Sequence, residues 1–523
     1  MKVKRALISV SDKTNLEKLV KTLNEMGVEI LSTGGTAKFI RSLGVKVTEV
    51  SDYTGFPEIM DGRVKTLHPK IHGALLALRD NDEHMAQAKK HGIAPIDMIV
   101  VNLYPFAKMV AQKDVKLEEA VENIDIGGPS MLRSASKNFK SVAVLSDPAL
   151  YENIIDELKK NKGSLSEKTL FELAADTFRR TSEYDSLISG YLNSLRKDSA
   201  SSSRGLFPKH MKLEFEKVQD LRYGENPHQK AAFYKDETEG SLSLAAAKQI
   251  HGKELSFNNL IDLDAALNLV AEFDEPAVCI IKHATPCGVA VGKSLKDAFL
   301  DALECDKLSA FGGIIGLNKA VDEKAALAIA DAGFIECIIS PAYDKKALEI
   351  LAKKKNLRLI EVGDIKKPGF KSGLDFKKIT GGALFQEYDI EDVDKKDIKV
   401  VTKKRPTAAE IDSLYFAWKV VKHVRSNAIV LCRDKKTVGI GTGQASRVDS
   451  VIIAIRKAQD KAKDSALASD AFFPKPDSIE IAANSGISAI IQPGGSIADQ
   501  EIIDAANKFG MSMVFTGIRH FRH

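Results

Sequence analysis

The sequence predicts an α/β protein in two unequal parts, and three observations carry that reading. Strand-length apolar runs alternate with helical-period stretches through residues 1–197, the pattern of a mostly parallel sheet covered by helices. A serine-rich polar stretch, 198–205, reads as a linker and leaves 206–523 as a second region. Within that region a strand-strand-helix-strand order occurs twice, giving units near 206–370 and 371–523.

In the first part, M-K-V-K-R-A-L-I-S-V opens as a signal peptide does. It meets Ser11-Asp12-Lys13 too soon, so Ala6–Val10 is expected to be a strand. Thr14 and Glu17 have capping-box spacing, Leu16, Leu19, Val20 and Leu23 share a helical face, and Gly27 closes the helix. Val28–Leu31 is the next strand and runs into Ser32-Thr33-Gly34-Gly35-Thr36, ahead of a short helix ending near Gly44. Ile96–Leu103 and Ser141–Leu145 are further strands, and Leu150–Leu158 and Leu170–Leu195 are closing helices.

Ser32–Thr36 lies between a strand and a helix. Glycines there let backbone N–H groups approach an anion, hydroxyls add donors, and the helix N-terminus adds positive potential. Ser11-Asp12-Lys13 stands at an equivalent strand end, so the two turns form a candidate phosphate cradle at the carboxyl edge of the sheet. Three more polar clusters follow. Arg63-Val64-Lys65-Thr66-Leu67-His68-Pro69 is a loop of donors, and Asn102-Leu103-Tyr104-Pro105-Phe106 ends a buried strand. Asp125-Ile126-Gly127-Gly128-Pro129-Ser130 opens a helix, with Pro129 suited to its first turn and Lys137 two turns along. Taken singly, Asp125 is a helix cap, Lys137 an exposed cation and Tyr104 a core ring with its hydroxyl at the rim.

The second region is organised around I-I-K-H-A-T-P-C-G, Ile280–Gly288. Ala277–Ile281 reads as a buried strand, Lys282 and His283 follow, and Thr285-Pro286 and Gly288 are expected to turn the chain. A turn there brings ammonium and imidazole to one cleft, a pair able to move a proton and hold an oxyanion. The alternative is a surface lysine beside a hydrogen-bonded histidine. Leu221–Gln229 is dense in polar turn residues, and Gly252–Leu260 leads into a helix, Asp262–Ala271. The repeat matches Ala277–Gly292 with Ala428–Gly441, and Ala310–Ile315 with Ala489–Gly495.

Composition bounds the function. The net charge of +5 is small for 523 residues and gives no nucleic-acid footprint. No apolar run reaches membrane-spanning length. Cysteines 279, 287, 305, 337 and 432 form no close pair, which suits a reducing cytoplasm. A zinc nucleoside deaminase needs P-C-x-x-C and H-x-E. Here Ala290 follows P-C-x-x, and His283 is followed by Ala284-Thr285, so no metal is expected. A nucleotide-sensing binding protein would keep the cradles but has no use for Lys282-His283 or for Lys65 with Asp125.

With these stretches in view, the chain resembles the bifunctional purine biosynthesis enzymes, which join an IMP cyclohydrolase domain to an AICAR transformylase domain. S-V-S-D-K-T, S-T-G-G-T-A, D-G-R-V-K-T-L-H-P-K-I-H-G, V-V-N-L-Y-P-F and I-D-I-G-G-P-S match the first part. L-R-Y-G-E-N-P-H-Q, K-H-A-T-P-C-G, S-A-F-G-G-I-I, S-N-A-I-V, G-Q-A-S-R-V-D-S, Q-P-G-G-S-I and R-H-F-R-H match the second, in order and over nearly the whole chain. The resemblance implies formyl transfer from 10-formyltetrahydrofolate to AICAR, then dehydrative closure of formyl-AICAR to IMP. It implies Lys282 and His283 as the transfer pair. Arg222, Tyr223, Asn259, Phe311, Gly312, Glu336, Asn427, Phe472, Arg519, Phe521 and His523 are implied around the nucleotide. For ring closure it implies Lys65, Tyr104, Asp125 and Lys137. Ser11, Lys13, Ser32, Thr33, Gly34, Gly35 and Thr36 form the implied cradle, with Arg63 and Thr66 beside it. The implied fold is a methylglyoxal-synthase-like domain followed by two cytidine-deaminase-like units. A cytoplasmic homodimer with transfer sites shared between chains is implied, with no nucleic-acid or membrane partner. Two positions depart from the pattern: Thr285, where Asn or Ser is frequent, and Lys475, where many bacterial relatives carry an apolar ring.

Overall fold

The structure is a computed structural model, and it describes residues 1–112, 115–195, 207, 209–236, 243–365 and 374–523. Two compact units divide the chain, Met1–Pro208 and Lys209–His523. The expected linker, 198–205, and the expected division near 370 lie outside the described residues.

Unit one is built on parallel strands β1 (Arg5–Ser9), β2 (Glu29–Ser32), β3 (Thr48–Glu49), β4 (Met98–Val101) and β5 (Ala143–Leu145), in the order β3-β2-β1-β4-β5. Helices cover both faces, which is why the strands read as unbroken apolar runs. Ala6 and Ile8 join one core with Leu16, Leu19, Leu23, Ile154 and Leu158. Leu7, between them, joins the other with Ile71, Leu75, Met131 and Leu132. The helix Leu16–Glu25 lacks the expected capping box. Its first turn is entered from Asn15 at φ 57, and Thr14 Oγ1 donates to Asp12 Oδ1 at 2.6 Å. An acceptor two residues back outcompetes the cap. Because β2, β1 and β4 are neighbours, the loops leaving their carboxyl ends meet.

Unit two carries β6 (Phe215–Leu221), β7 (Ala231–Asp236), β8 (Lys248–His251), β9 (Ala277–Lys282), β10 (Thr285–Val291), β11 (Ile314–Leu317), β12 (Cys337–Ser340) and β13 (Arg358–Glu361). It continues with β14 (Leu374–Ile379), β15 (Gly382–Glu387), β16 (Lys399–Val400), β17 (Ile429–Arg433), β18 (Lys436–Gly441), β19 (Ala466–Ser469), β20 (Ala489–Gln492) and β21 (Ser512–Phe515). Twelve of them form one sheet, β16-β21-β20-β19-β17-β18-β10-β9-β11-β12-β13-β8, while β6-β7 and β14-β15 pair separately. Outward from the central β18–β10 pair, both wings have the same plan. Each has a hairpin, an antiparallel neighbour, two parallel strands and a short antiparallel edge. One core runs through both wings, from Ala277 and Ile314 to Val430, Ile491 and Val514.

The wings correct two expectations. The hairpin turns at His283–Ala284, not at Thr285–Gly288; Thr285 and Pro286 already belong to β10, with Pro286 at a register shift where a missing N–H is tolerated. Ala310–Ile315 corresponds to the approach to β19, not to Ala489–Gly495, which is β20 and its exit. Gly-Gly precedes the strand in one case and follows it in the other, so similar composition marks opposite strand ends.

Strand direction then collects the rim. Ile281 pairs with Ile314, Ile314 with Cys337 and Cys337 with Arg358. Ile429 pairs with both Gly441 and Ser469. The antiparallel contact Ala290↔Lys436 sets the start of β10 beside the end of β18. The end of β9, the starts of β11, β12, β13 and β17, and the ends of β19, β20 and β21 therefore share one rim.

Candidate active sites

In unit one, Ser11 N and Oγ donate to Asn102 Oδ1 at 2.7 and 2.8 Å, and Asn102 Nδ2 donates back to Asp12 O at 2.8 Å. This fastens the Ser11-Asp12-Lys13 turn to the loop carrying Tyr104. Ser32 Oγ donates to Ile8 O at 2.6 Å and Thr36 Oγ1 to Val10 O at 3.0 Å, while Thr33 Oγ1 lies 3.0 Å from Ser9 Oγ. These hydroxyls hold the turn to β1 rather than facing outward. The donors left for an anion are the N–H groups of Gly34 and Gly35, in the first turn of the helix Gly34–Ser42.

Lys65 stands over this turn. A Cβ on Gly34, which has φ +44, would lie 3.7 Å from Lys65 Nζ. Lys65 Nζ is also 3.4 Å from Glu58 Oε1. Arg63 is engaged by Glu122, with Nε donating to Oε1 at 3.2 Å. A Cβ on Gly127 would meet Thr66 Oγ1 at 2.8 Å, so the buried Thr66 touches the start of the helix Gly127–Lys137. Asp125 Oδ1 accepts from Gly128 N at 2.9 Å, and Asp125 N donates to Tyr184 Oη at 2.8 Å. Burial pushes the Asp125 carboxyl up, against the opposing pull of the Gly128 and Gly127 N–H groups and Lys65. A raised carboxyl beside a lysine suits proton transfer. Tyr104 follows Leu103, whose carbonyl accepts from Ser11 Oγ at 3.2 Å, and its ring is exposed.

Lys137 does not join this group. It is the last residue of the helix that Gly127 begins, nearly three turns from Gly127, and so lies about 15 Å down the axis from it. There it lines a groove of about 640 Å³ with Leu76, Arg133, Phe139, Phe171 and Phe178.

In unit two, the strand ends at Lys282 and the turn aims the next two residues at the rim. Lys282 Nζ donates to Phe311 O at 2.6 Å. Asp262 accepts from His283 N at 3.2 Å and from Ala284 N at 2.5 Å, holding the two left-handed residues. Burial raises the Asp262 carboxyl, and these two N–H groups oppose the shift. Asn259 and Ser256 cap the helix Phe257–Val270 reciprocally, and Asn259 Nδ2 donates to Glu336 Oε2 at 2.8 Å. Arg358 Nη1 is 3.9 Å from the same Glu336 oxygen. Gly312, at φ 70, follows Phe311, whose ring centroid is 5.6 Å from that of Phe334. Arg222 lies over Tyr223 at 5.7 Å, on a loop tied to the capped helix by Asn258 Nδ2 donating to Glu225 O at 3.3 Å.

The other wing supplies a second cluster on the same rim. Arg447 Nη2 donates to Asn427 Oδ1 at 2.7 Å, and Arg447 Nη1 pairs with Asp470 Oδ1 at 2.5 Å in full burial. Asp470 leads to Phe472, which is partly exposed at the rim. The C-terminal residues are tied in: His520 N donates to Asp470 O at 3.0 Å, Arg522 N to Ser426 Oγ at 3.1 Å, and Lys377 Nζ to His523 O at 2.7 Å. Arg519 lies 4.5 Å over the Phe521 ring. From β9 to β17 is three strand spacings, about 14 Å, so the two clusters are neighbours on the rim and not one pocket. Asp262, Arg358, Arg447 and Asp470 were not singled out as site residues in the sequence, although Asp262 is three residues after Asn259, on the same helical face. Among the described residues no three His, Cys, Asp or Glu side chains converge as a metal set, and no helix is long and apolar enough to cross a membrane. All five cysteines are buried, and burial pushes the Cys279, Cys287 and Cys337 thiols up to about 12, unfit as nucleophiles.

Two family patterns match the chain: the MGS-like domain over residues 15–130 and the AICARFT/IMPCHase bienzyme over residues 135–457. The bifunctional purine biosynthesis protein PurH of a Thermoanaerobacter strain is 54% identical over 99% of this chain and 100% of its own length. PurH of Acetivibrio thermocellus is 52% identical, and that of Bacillus subtilis 53%, each over 100% of both chains. An MGS-like parallel-sheet domain followed by this larger α/β unit is the architecture those matches describe. The chain belongs to the AICARFT/IMPCHase bienzyme family, the bifunctional purine biosynthesis enzymes that carry out the last two steps of IMP formation.

Proposed function

We propose that the two reactions of this enzyme occupy separate units, ring closure in residues 1–197 and formyl transfer in residues 206–523, the latter built of two cytidine-deaminase-like halves. The observation that carries this reading is the Asp262-held turn, which sets His283 beside Lys282 on the rim where Asn259, Phe311 and Glu336 gather. The formyl donor is 10-formyltetrahydrofolate and the acceptor AICAR. As the 5-amino nitrogen attacks the formyl carbon, His283 takes the amine proton. Lys282 stabilises the oxyanion, and the bond to the folate nitrogen breaks as that nitrogen is protonated. Groups of this kind each contribute ~10²–10⁴ in rate. Arg222, Tyr223, Gly312, Asn427, Phe472, Arg519, Phe521 and His523 bind the nucleotide.

In the first unit Ser11, Lys13, Ser32, Thr33, Gly34, Gly35 and Thr36 shape the phosphate cradle, with Arg63 and Thr66 at its margin. The carboxamide nitrogen attacks the formyl carbon, and the formyl oxygen leaves as water. Asp125 takes the nitrogen proton, while Lys65, Tyr104 and Lys137 stabilise or protonate the departing oxygen. Proton transfer and positioning suffice, so we assign no metal. The enzyme acts as a cytoplasmic homodimer on small molecules, without nucleic acid or membrane. His283→Ala is expected to abolish formyl transfer and spare ring closure, and Lys65→Ala to do the reverse. Loss of both activities by either folded variant overturns the division.

A further inference from the structure

From Arg519 to His523 the side chains alternate. Arg519, Phe521 and His523 are exposed, while His520 is buried and Arg522 half-buried between them. Such alternation marks an extended segment with one face outward. The outward face carries the residues read above as holding the nucleotide, and the inward face anchors them. Arg522 is anchored twice. Its backbone pairs with Ser426: Arg522 N donates to Ser426 Oγ at 3.1 Å, and Arg522 O accepts from Ser426 N at 2.9 Å. Its side chain turns inward, and Nη1 lies 3.5 Å from His423 Nδ1.

His423 is buried, and its Nε2 is 3.0 Å from Glu272 Oε1. A guanidinium can only donate, so His423 Nδ1 accepts. The ring proton therefore sits on Nε2 and is donated to Glu272. Burial pushes the imidazole down to about 4 against the pull of Glu272, and the nearby Arg522 and Lys422 push it the same way as burial. The ring is thus neutral, with one donating and one accepting edge. Lys422 Nζ, 3.7 Å from Glu272 Oε1, supplies the counter-charge to that carboxylate. His423 is a bridge rather than an ion-pair partner.

The bridge crosses from one wing to the other. Glu272 follows the helix Phe257–Val270, whose first turns carry Asn259 and Asp262. His423 follows the second wing's helix Ala408–Val421. Both helices lie on the shared core. Phe273 packs on Phe416 with centroids 5.4 Å apart, and Lys419 Nζ donates to Glu272 O at 3.2 Å. These contacts already join the helices; what His423 adds is a link onward to Arg522. We propose that His423 is a positioning residue for formyl transfer. Through Arg522 it ties the nucleotide-holding segment of one wing to the helix that carries Asn259 and Asp262 in the other. The inference rests on the reading that Arg519 and Phe521 hold the nucleotide.

The test is AICAR affinity by calorimetry on the full-length protein, with steady-state constants for both substrates of formyl transfer. His423→Leu removes both ring nitrogens, and Arg522→Met cuts the link outside the core. Each is expected to weaken AICAR binding roughly tenfold, and to raise the KM for AICAR without moving that for the formyl donor. The double variant is expected to lose no more than either single one, because both break the same chain of bonds. His423→Gln, whose amide both donates and accepts, is expected to restore most of the affinity. A general loss of packing would not be repaired by glutamine, nor would it spare the formyl-donor constant. If His423→Leu does not fold, a tenfold loss in Arg522→Met with near wild-type binding in His423→Gln supports the link. Wild-type affinity in Arg522→Met, no recovery with glutamine, or losses that multiply in the double variant overturn it. Wild-type AICAR affinity after deletion of Arg519–His523 overturns instead the underlying reading of the segment.

Discussion

His283 and Ala284 both sit in left-handed backbone, at φ 54 and 56, where a side chain costs about 1–2 kcal/mol relative to glycine. Asn-Gly would make the same two-residue turn without that cost. The other wing makes its turn with Asp434-Lys435, opening with a residue tolerant of this region. Histidine is among the residues that tolerate this region, but the turn does not require one. Asp262 maintains the turn, accepting both of its N–H groups. Asp262→Asn keeps one acceptor oxygen and loses the charge, so the imidazole should drift from its working position. Formyl transfer is expected to fall roughly 100-fold, as misplacement by about 1 Å can cost, with ring closure unchanged. Steady-state assays of both reactions read this directly, and an unaltered transfer rate would remove Asp262 from the mechanism. That Lys282 and His283 stand where a buried strand ends was legible in the sequence, because the apolar run Ala277–Ile281 stops there. Asp262 was not, because a lone helical aspartate reveals its partners only when the hairpin folds over it.

The two wings repeat a packing device that composition alone does not display. A Cβ on Gly288 would strike Ala302 O, and one on Gly439 would strike Ala454 O, at the same depth in the helices Leu295–Cys305 and Arg447–Ala458. Each glycine lets a helix lie directly on the second strand of its hairpin. Gly288→Ala and Gly439→Ala are each expected to destabilise unit two by about 1–3 kcal/mol through overpacking. Denaturant titration followed by formyl-transfer activity measures this, and a midpoint unchanged in both variants would mean the helices move away freely. The hairpins of the repeat were legible because Ala277–Lys282 and Ile429–Arg433 are both apolar strands followed by a polar turn. The second correspondence failed because Gly-Gly says nothing about which end of a strand it marks. Lys137 shows a related limit: motif order along the chain does not reveal that a straight helix separates it from Asp125 within one chain.

Over the whole molecule, strand direction gathers residues from Asn259 to Phe521 onto one rim of a twelve-stranded sheet. That gathering depends on long-range register, which no local pattern encodes, so the sequence motifs named candidates for the site without their arrangement. The C-terminal residues show what the arrangement adds. Read locally, Arg519–His523 is a cationic chain end, and chain ends fray by default. Here the segment leaves the end of β21 on the rim. His520 is buried with Nδ1 2.7 Å from Asp389 Oδ2, and Arg522 N reaches Ser426 Oγ, whose own hydroxyl bonds Asp470 Oδ2 at 2.5 Å. The segment is thus wedged against the buried Arg447–Asp470 pair that orients Asn427, leaving Arg519 and Phe521 exposed. An exposed guanidinium over an aromatic ring can fork onto a phosphate while the ring packs against a base. Deleting Arg519–His523 is expected to weaken AICAR binding by roughly ten- to a hundredfold, the loss of a charged hydrogen bond worth ~1.5–3 kcal/mol, and to reduce formyl transfer with it. Ring closure, in a separate compact unit, should persist. Calorimetric titration of AICAR into the full-length and shortened proteins measures the change, with ring-closing activity as the control for folding of unit one. Equal affinities would mean that the segment braces the rim and takes no part in holding the nucleotide.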